Sequence, residues 1–141
     1  MALCAVLLAG SAGAVQAKKG SLAPITMERL RANSGITLQW IDWDRRGTAE
    51  LRETAEGAFL TASQVDPAGP GTLFIDGRVI EAGEDYFLFD GLIRIAETPD
   101  RGRVCEARKV WRFAITQNRK YYRLREFEWC DRLTDYVDIY F

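Results

Sequence analysis

From Ile36 to the C-terminus, apolar and polar residues alternate with period two, and clusters of Gly, Pro, Asn and Asp interrupt the alternation at intervals that suit strands. The pattern predicts strands near 36–43, 47–54, 57–65, 71–80, 85–97, 107–117, 119–129 and 134–141. The clearest loops are Asp66-Pro67-Ala68-Gly69-Pro70, Glu81-Ala82-Gly83-Glu84 and Thr98-Pro99-Asp100-Arg101-Gly102. Only Met27–Ser34 reads as a helix, with Thr26 as its N-cap and Gly35 closing it. It is about two turns long and needs a partner surface to persist. The expected fold is therefore mainly β: a small antiparallel eight-stranded meander barrel with one short N-terminal helix, because closure removes the exposed edges. A two-sheet β-sandwich is the alternative, but no long Greek-key crossover is visible.

Two Asp-Gly pairs, Asp76-Gly77 and Asp90-Gly91, each lie between apolar residues. Asp-Gly is a strong hairpin signal, yet reading both as tips leaves strands of only three or four residues. Keeping Phe87, Phe89, Ile93 and Ile95 on one inward face, with Gly91 on that face as a bend, gives a long strand of the kind barrels need.

The segment from Cys105 to Cys130, CEARKVWRFAITQNRKYYRLREFEWC, carries the most pattern. Trp111, Phe113 and Ile115 share one face, and Tyr122 and Leu124 continue inward after the turn. Phe127 and Trp129 have the opposite parity, so a bulge near Arg125 or Glu126 is expected to return them to the core. A turn at Gln117-Asn118 sets Arg112 opposite Arg123 and Cys105 opposite Cys130, whereas a turn at Asn118-Arg119 sets Arg112 opposite Arg125. In either register two guanidinium groups face each other, an arrangement that asks for a carboxylate neighbour such as Glu126 or Glu128, or for an external anion.

Met1 to Ala17 contains no charge, has an apolar run through Leu8 and ends in Val15-Gln16-Ala17. It reads as a secretory signal peptide (1–17) preceding a single β domain (18–141), which places the mature chain in the periplasm or outside the cell with no transmembrane span. Cys4 precedes the apolar run instead of following it, which argues against lipidation. In an oxidising compartment the two remaining cysteines are expected to form a Cys105–Cys130 disulfide, worth about 3–4 kcal/mol in the chain-entropy account.

The net charge is −1, so nothing global points to nucleic acid. The distribution is uneven, however, with ten basic and four acidic side chains in residues 101–132. There is no histidine, which removes histidine-based acid–base chemistry and the commonest zinc sites. No phosphate-cradling glycine loop is present, and no cofactor, metal or catalytic residue is expected. The nominal carboxylate pairs are Asp42 with Asp44 and Asp135 with Asp138, whose spacings are not diagnostic. Val137, Ile139 and Phe141 are expected to enter the core while Tyr136, Asp138 and Tyr140 face outward. Of Trp40 and Trp43, whose parities differ, one is expected in the core and one at the rim.

The stretches SGITLQWIDWDRRG, FDGLIRIAETPDRGRVC and RKYYRLREFEWCDRLTDYVDIYF resemble a group of small exported proteobacterial proteins with no assigned function. The resemblance implies export and a common fold, and carries over no catalytic or ligand residue. The overall plan is also similar to small periplasmic barrels such as lysozyme inhibitors and lipocalins. The leading expectation is a non-catalytic exported barrel that binds an anionic lipid, glycan or protein of the envelope through Arg112, Tyr121, Arg123 and Arg125. The alternatives are a lipocalin-like carrier of a small apolar ligand and a weak carboxylate-based hydrolase.

Overall fold

A computed structural model describes residues 20–141. The expected signal peptide lies outside the described residues. The chain forms α1 (Pro24–Arg31) and eight strands: β1 (Gly35–Leu38), β2 (Thr48–Thr54), β3 (Gly57–Val65), β4 (Thr72–Ala82), β5 (Tyr86–Ala96), β6 (Val104–Ala114), β7 (Tyr121–Leu124) and β8 (Val137–Tyr140). They make one antiparallel sheet in the order β1-β8-β7-β6-β5-β4-β3-β2. The ring is nearly closed, because Ile36 and Gly47 exchange backbone hydrogen bonds of 3.2 and 2.8 Å and so bring β1 to the start of β2. A Cβ on Gly35 would lie 2.5 Å from the Gly47 carbonyl oxygen, so this seam needs a glycine. The eight-stranded meander barrel with one short helix is what the alternation predicts.

The helix starts earlier than its sequence signals suggest. Pro24 supplies the preset φ of a first helical turn, and Ala23 takes the capping position with no side-chain bond. Thr26 is buried inside the first turn instead of capping it; its hydroxyl donates to the Gly83 carbonyl at 2.5 Å and lies 2.8 Å from the Tyr122 hydroxyl. Asn33 ends the helix by donating to the carbonyls of Leu30 and Ala49 and accepting from Gly35 N–H, which ties α1 to β2.

Neither Asp-Gly pair is a hairpin tip. Gly77 and Gly91 face each other in the middle of β4 and β5. A Cβ on Gly91 would come within 2.6 Å of Gly77 Cα and 2.7 Å of Phe89 Cζ, so the missing side chains make room for the Phe89 ring. The barrel interior is filled by aromatics. Phe87 and Phe113 stack at 4.9 Å, Phe89 meets Phe113 edge-on, and all three are buried with Trp111 and Tyr122. The Trp111 indole nitrogen donates to the Gly91 carbonyl at 3.0 Å, which satisfies the polar atom that burial of a tryptophan brings with it.

Three strands are shorter than the alternation suggests, β8 among them at Val137–Tyr140. β1 stops at Leu38, where the N–H groups of Ile41 and Asp42 turn back to the Leu38 carbonyl. β7 stops at Leu124, and no bulge returns Phe127 to the core. Trp129 nevertheless packs on Trp111 at 5.1 Å, while Phe127 stays half-buried against Tyr136. Trp40 packs against the core and Trp43 is exposed, which separates the two as expected.

Candidate functional site

The outer face of β7 and β8 and the segment after β7 carry a group of half-buried aromatic and basic side chains. Outward residues on β7 are Tyr121 and Arg123; their counterparts on β8 are Tyr140 and Asp138. Arg123 donates from Nε and Nη2 to the two Asp138 oxygens at 2.7 and 2.8 Å, and its guanidinium lies 4.1 Å from the Tyr136 ring centre and 5.1 Å from that of Tyr121. Tyr121 meets Tyr140 at 5.4 Å, and Arg46 lies 3.8 Å over Tyr140. At the other end Phe127 meets the edge of Tyr136, and Arg125 lies 4.8 Å over Phe127. Three guanidinium groups, with a pair of rings between each and the next, thus form a continuous ladder from Arg46 to Arg125.

The ladder sorts the expected site residues into two kinds. Arg123 is nearly buried, and the hydrogen bonds it donates to Asp138 raise its pKa above the ordinary arginine value. Arg112 and Arg125 make no ion pair with any described carboxylate. Arg112 stacks 4.3 Å over Tyr86. Tyr121 is half-buried, with Arg119 5.9 Å from its ring as well. Burial pushes the Tyr140 hydroxyl upward, against the opposing effect of its bond with Thr37.

The register explains which arginines meet. The turn does fall at Gln117-Asn118, both in the left-handed region, with Arg119 N–H donating to the Thr116 carbonyl. The strands nevertheless pair as the other register would have it, Phe113 with Leu124 and Ala114 with Arg123, so Arg123 does not face Arg112. Ile115 N–H is drawn to the Asp85 carbonyl, and Arg119 and Lys120 are spent in the connection. Arg125 takes the place opposite Arg112 and donates its N–H to the Arg112 carbonyl at 2.8 Å.

A second charged group, missed by sequence reasoning, holds the outer segment in place. Arg103 is buried and donates to both oxygens of Asp135, both oxygens of Asp131 and the Thr98 carbonyl. The Trp40 indole N–H also donates to Asp135. The hydrogen bonds that Arg103 donates to Asp135, then to Asp131, raise its pKa against the effect of burial, and they hold the Asp131 carboxyl below the usual carboxylate range. The Cys105–Cys130 disulfide, with Cα atoms 5.9 Å apart, pins the same segment. Nothing in the sequence sets Arg103 apart from Arg101 in the neighbouring loop, and only its burial reveals it.

Of the nominal carboxylates, Asp135 and Asp138 are each saturated by a different arginine, and Asp42 accepts from the backbone N–H groups of Asp44 and Arg45. The inward aromatics Phe87, Phe89 and Phe113, around which a carrier would hold its ligand, pack on one another. An apolar groove of about 330 Å³ lies elsewhere, between Leu22, Ala58, Val79 and Leu88. Among the described residues no helix is long and apolar enough to cross a membrane.

Comparison with known sequences covers the whole of this architecture. A model of the PM1083 family matches residues 14–141. The chain belongs to the PM1083 family. A protein of Pasteurella multocida (strain Pm70), named Uncharacterized protein PM1083, is 37% identical over 108 residues, which is 75% of this chain and 69% of that protein. No solved structure matches. The family match agrees with the resemblance seen in the sequence, and it spans the ladder, the Arg103 group and both cysteines.

Proposed function

We propose that this member of the PM1083 family is an exported, non-catalytic binding domain, periplasmic or secreted, whose ligand is an anionic partner of the cell envelope. The observation that carries the reading is the pair Arg112 and Arg125. They occupy opposed positions on β6 and just beyond β7, neither has a carboxylate partner among the described residues, and each is stacked on a ring, Tyr86 or Phe127. Facing like charges cost stability unless an anion sits between them, and stacking holds both guanidinium planes ready to bind one. Arg119 beside Tyr121 extends the same basic edge. Arg123 contributes by holding Tyr121 and Tyr136 rather than by touching the ligand.

The interior offers less support for a carrier, since the stacked Phe87 and Phe113 with Phe89 and Trp111 occupy the space that an apolar ligand would need. A hydrolase reading has little to stand on, because Asp135 and Asp138 already hold arginines on both oxygens.

Titration against phosphatidylglycerol vesicles, phosphatidylcholine vesicles and a polyuronate at two salt concentrations tests the proposal. Binding to an anionic probe that weakens with salt and is lost in Arg112→Glu is expected. No binding at low salt, or binding unchanged by Arg112→Glu, overturns it.

A further inference from the structure

Strand β6 has only one full neighbour. It pairs with β5 along the whole of Val104–Ala114, whereas β7 meets it only at Phe113 and Ala114. The Arg112 carbonyl accepts from Arg125, so the even-numbered residues of β6 turn their peptide groups away from β5. Among the described residues, no backbone hydrogen bond reaches Glu106, Arg108 or Val110 on that side. The segment after β7 holds the odd-numbered positions instead. Cys130 is bonded to Cys105, Glu126 pairs with Lys109, and Trp129 lies on Trp111. These three β6 residues share the inward parity, so the segment crosses beneath the inner face and leaves the edge open.

An open edge is a template for another strand, and proteins commonly blunt one with charged side chains, lysine above all. Here the charges do the opposite. The outward positions read Val104, Glu106, Arg108, Val110. Laid antiparallel on a second copy about Ala107, this row sets Glu106 against Arg108 of the partner subunit and Val104 against Val110 of the partner subunit. Both valines are exposed, at 54% and 46%. The two-fold places Ala107 opposite its own copy at a position between hydrogen-bonded pairs, where side chains come closest and a small one fits. Arg108 has no carboxylate partner among the described residues, and Glu106 has only a 3.5 Å contact to the half-exposed Arg94.

We propose that a second copy of this chain docks antiparallel on the β6 edge, with Glu106 and Arg108 exchanging partners across a two-fold axis to join the two barrels into one dimer. The contact is isologous, so it closes after two copies and does not propagate. It uses main-chain hydrogen bonds for affinity and the Glu–Arg exchange for register.

Sedimentation equilibrium of the oxidised mature chain over a concentration series tests it. The wild type is expected to dimerise, and Arg108→Glu, which sets Glu against Glu, to weaken dimerisation about tenfold or more. Glu106→Arg is expected to do the same by setting Arg against Arg. The double swap Glu106→Arg with Arg108→Glu restores the complement and is expected to restore the dimer. Circular dichroism and intact mass with the disulfide closed show that each variant is folded. A wild type that stays monomeric to the solubility limit, a dimer indifferent to the single substitutions, or a double swap no better than either single variant overturns the proposal.

Discussion

Arg123 and Asp138 face each other across β7 and β8, with the guanidinium gripping both carboxylate oxygens and Asp138 fully buried. The pair lies beneath the tyrosines of the outer ladder and fixes their spacing, so it links the hydrogen bonding of the sheet to the shape of the candidate surface. Removing one partner leaves an uncompensated buried charge. Arg123→Ala is therefore expected to lower stability by about 3–5 kcal/mol. Replacing both residues, Arg123→Met with Asp138→Leu, is expected to cost much less. Urea denaturation of the two variants beside the wild type checks this, and equal losses for the single and double variants would contradict it.

Gly91 makes a different kind of prediction, one of shape alone. A methyl group there meets Gly77 Cα at 2.6 Å and the Phe89 ring at 2.7 Å, and both are held by the β4–β5 pairing and the packed lumen. Gly91→Ala is expected to destabilise by about 1–3 kcal/mol, as overpacking of a filled interior does. Gly102→Ala, where a Cβ meets nothing within 4 Å although φ is +86°, is expected to cost less. Thermal unfolding of the two variants side by side distinguishes them.

Alternation marked the strands because a barrel buries one side chain in two. The inward run Phe87, Phe89, Ile93, Ile95 is buried throughout, with Gly91 in the expected place. What local pattern could not show was where tertiary partners outcompete it. Thr26 reads as a cap, but its hydroxyl is taken by Gly83 and Tyr122, more than fifty residues away in sequence. Phe127 has the parity of a bulged strand residue, but the disulfide and the Arg103 group pull the chain off the sheet after Leu124. The ladder was half visible. Tyr136 and Tyr140 stand outward as the period demands, yet Arg46 joins them only because the Ile36–Gly47 seam brings its loop round to β8.

The opposed arginines separate binding from stability. Arg125→Glu replaces a like-charged neighbour of Arg112 with an opposite one, which is expected to stabilise the fold by about 0.2–1 kcal/mol. The same change fills the anion site with the protein's own carboxylate, so binding to anionic vesicles is expected to fall away while unfolding shifts to higher urea. Parallel vesicle titration and urea denaturation check both halves, and loss of binding with loss of stability would point to misfolding instead.

Acid should loosen the outer segment first. Arg103 holds the Asp131 carboxyl below its ordinary value of 3.8, so the folded state takes up that proton less readily than the unfolded chain. The contribution is complete above the unfolded pKa, is lost as pH falls through the lower folded one, and vanishes below both. Stability measured across the acid limb is expected to fall more shallowly in Asp131→Asn than in the wild type, from a lower plateau at neutral pH. Identical slopes would mean that Asp131 does not couple to folding.

The disulfide joins residues 25 apart and anchors the segment that carries Arg125, Phe127 and Tyr136. Its loss is expected to cost about 3–4 kcal/mol through the unfolded chain, and to act on the surface as well. Arg103 still binds Asp131 and Asp135 after the link is cut, so the segment keeps one of its two anchors. Cys105→Ser with Cys130→Ser should therefore remain folded at low temperature yet bind anionic vesicles more weakly than the oxidised protein. Adding Arg103→Met to that variant removes the second anchor and leaves Asp135 buried without its partner. The combined protein is expected to unfold, whereas Arg103→Met in the disulfide-bonded chain should leave a folded barrel with a loosened ladder. Hydrogen exchange at residues 125–136, compared across the three variants, checks the order in which the two anchors fail.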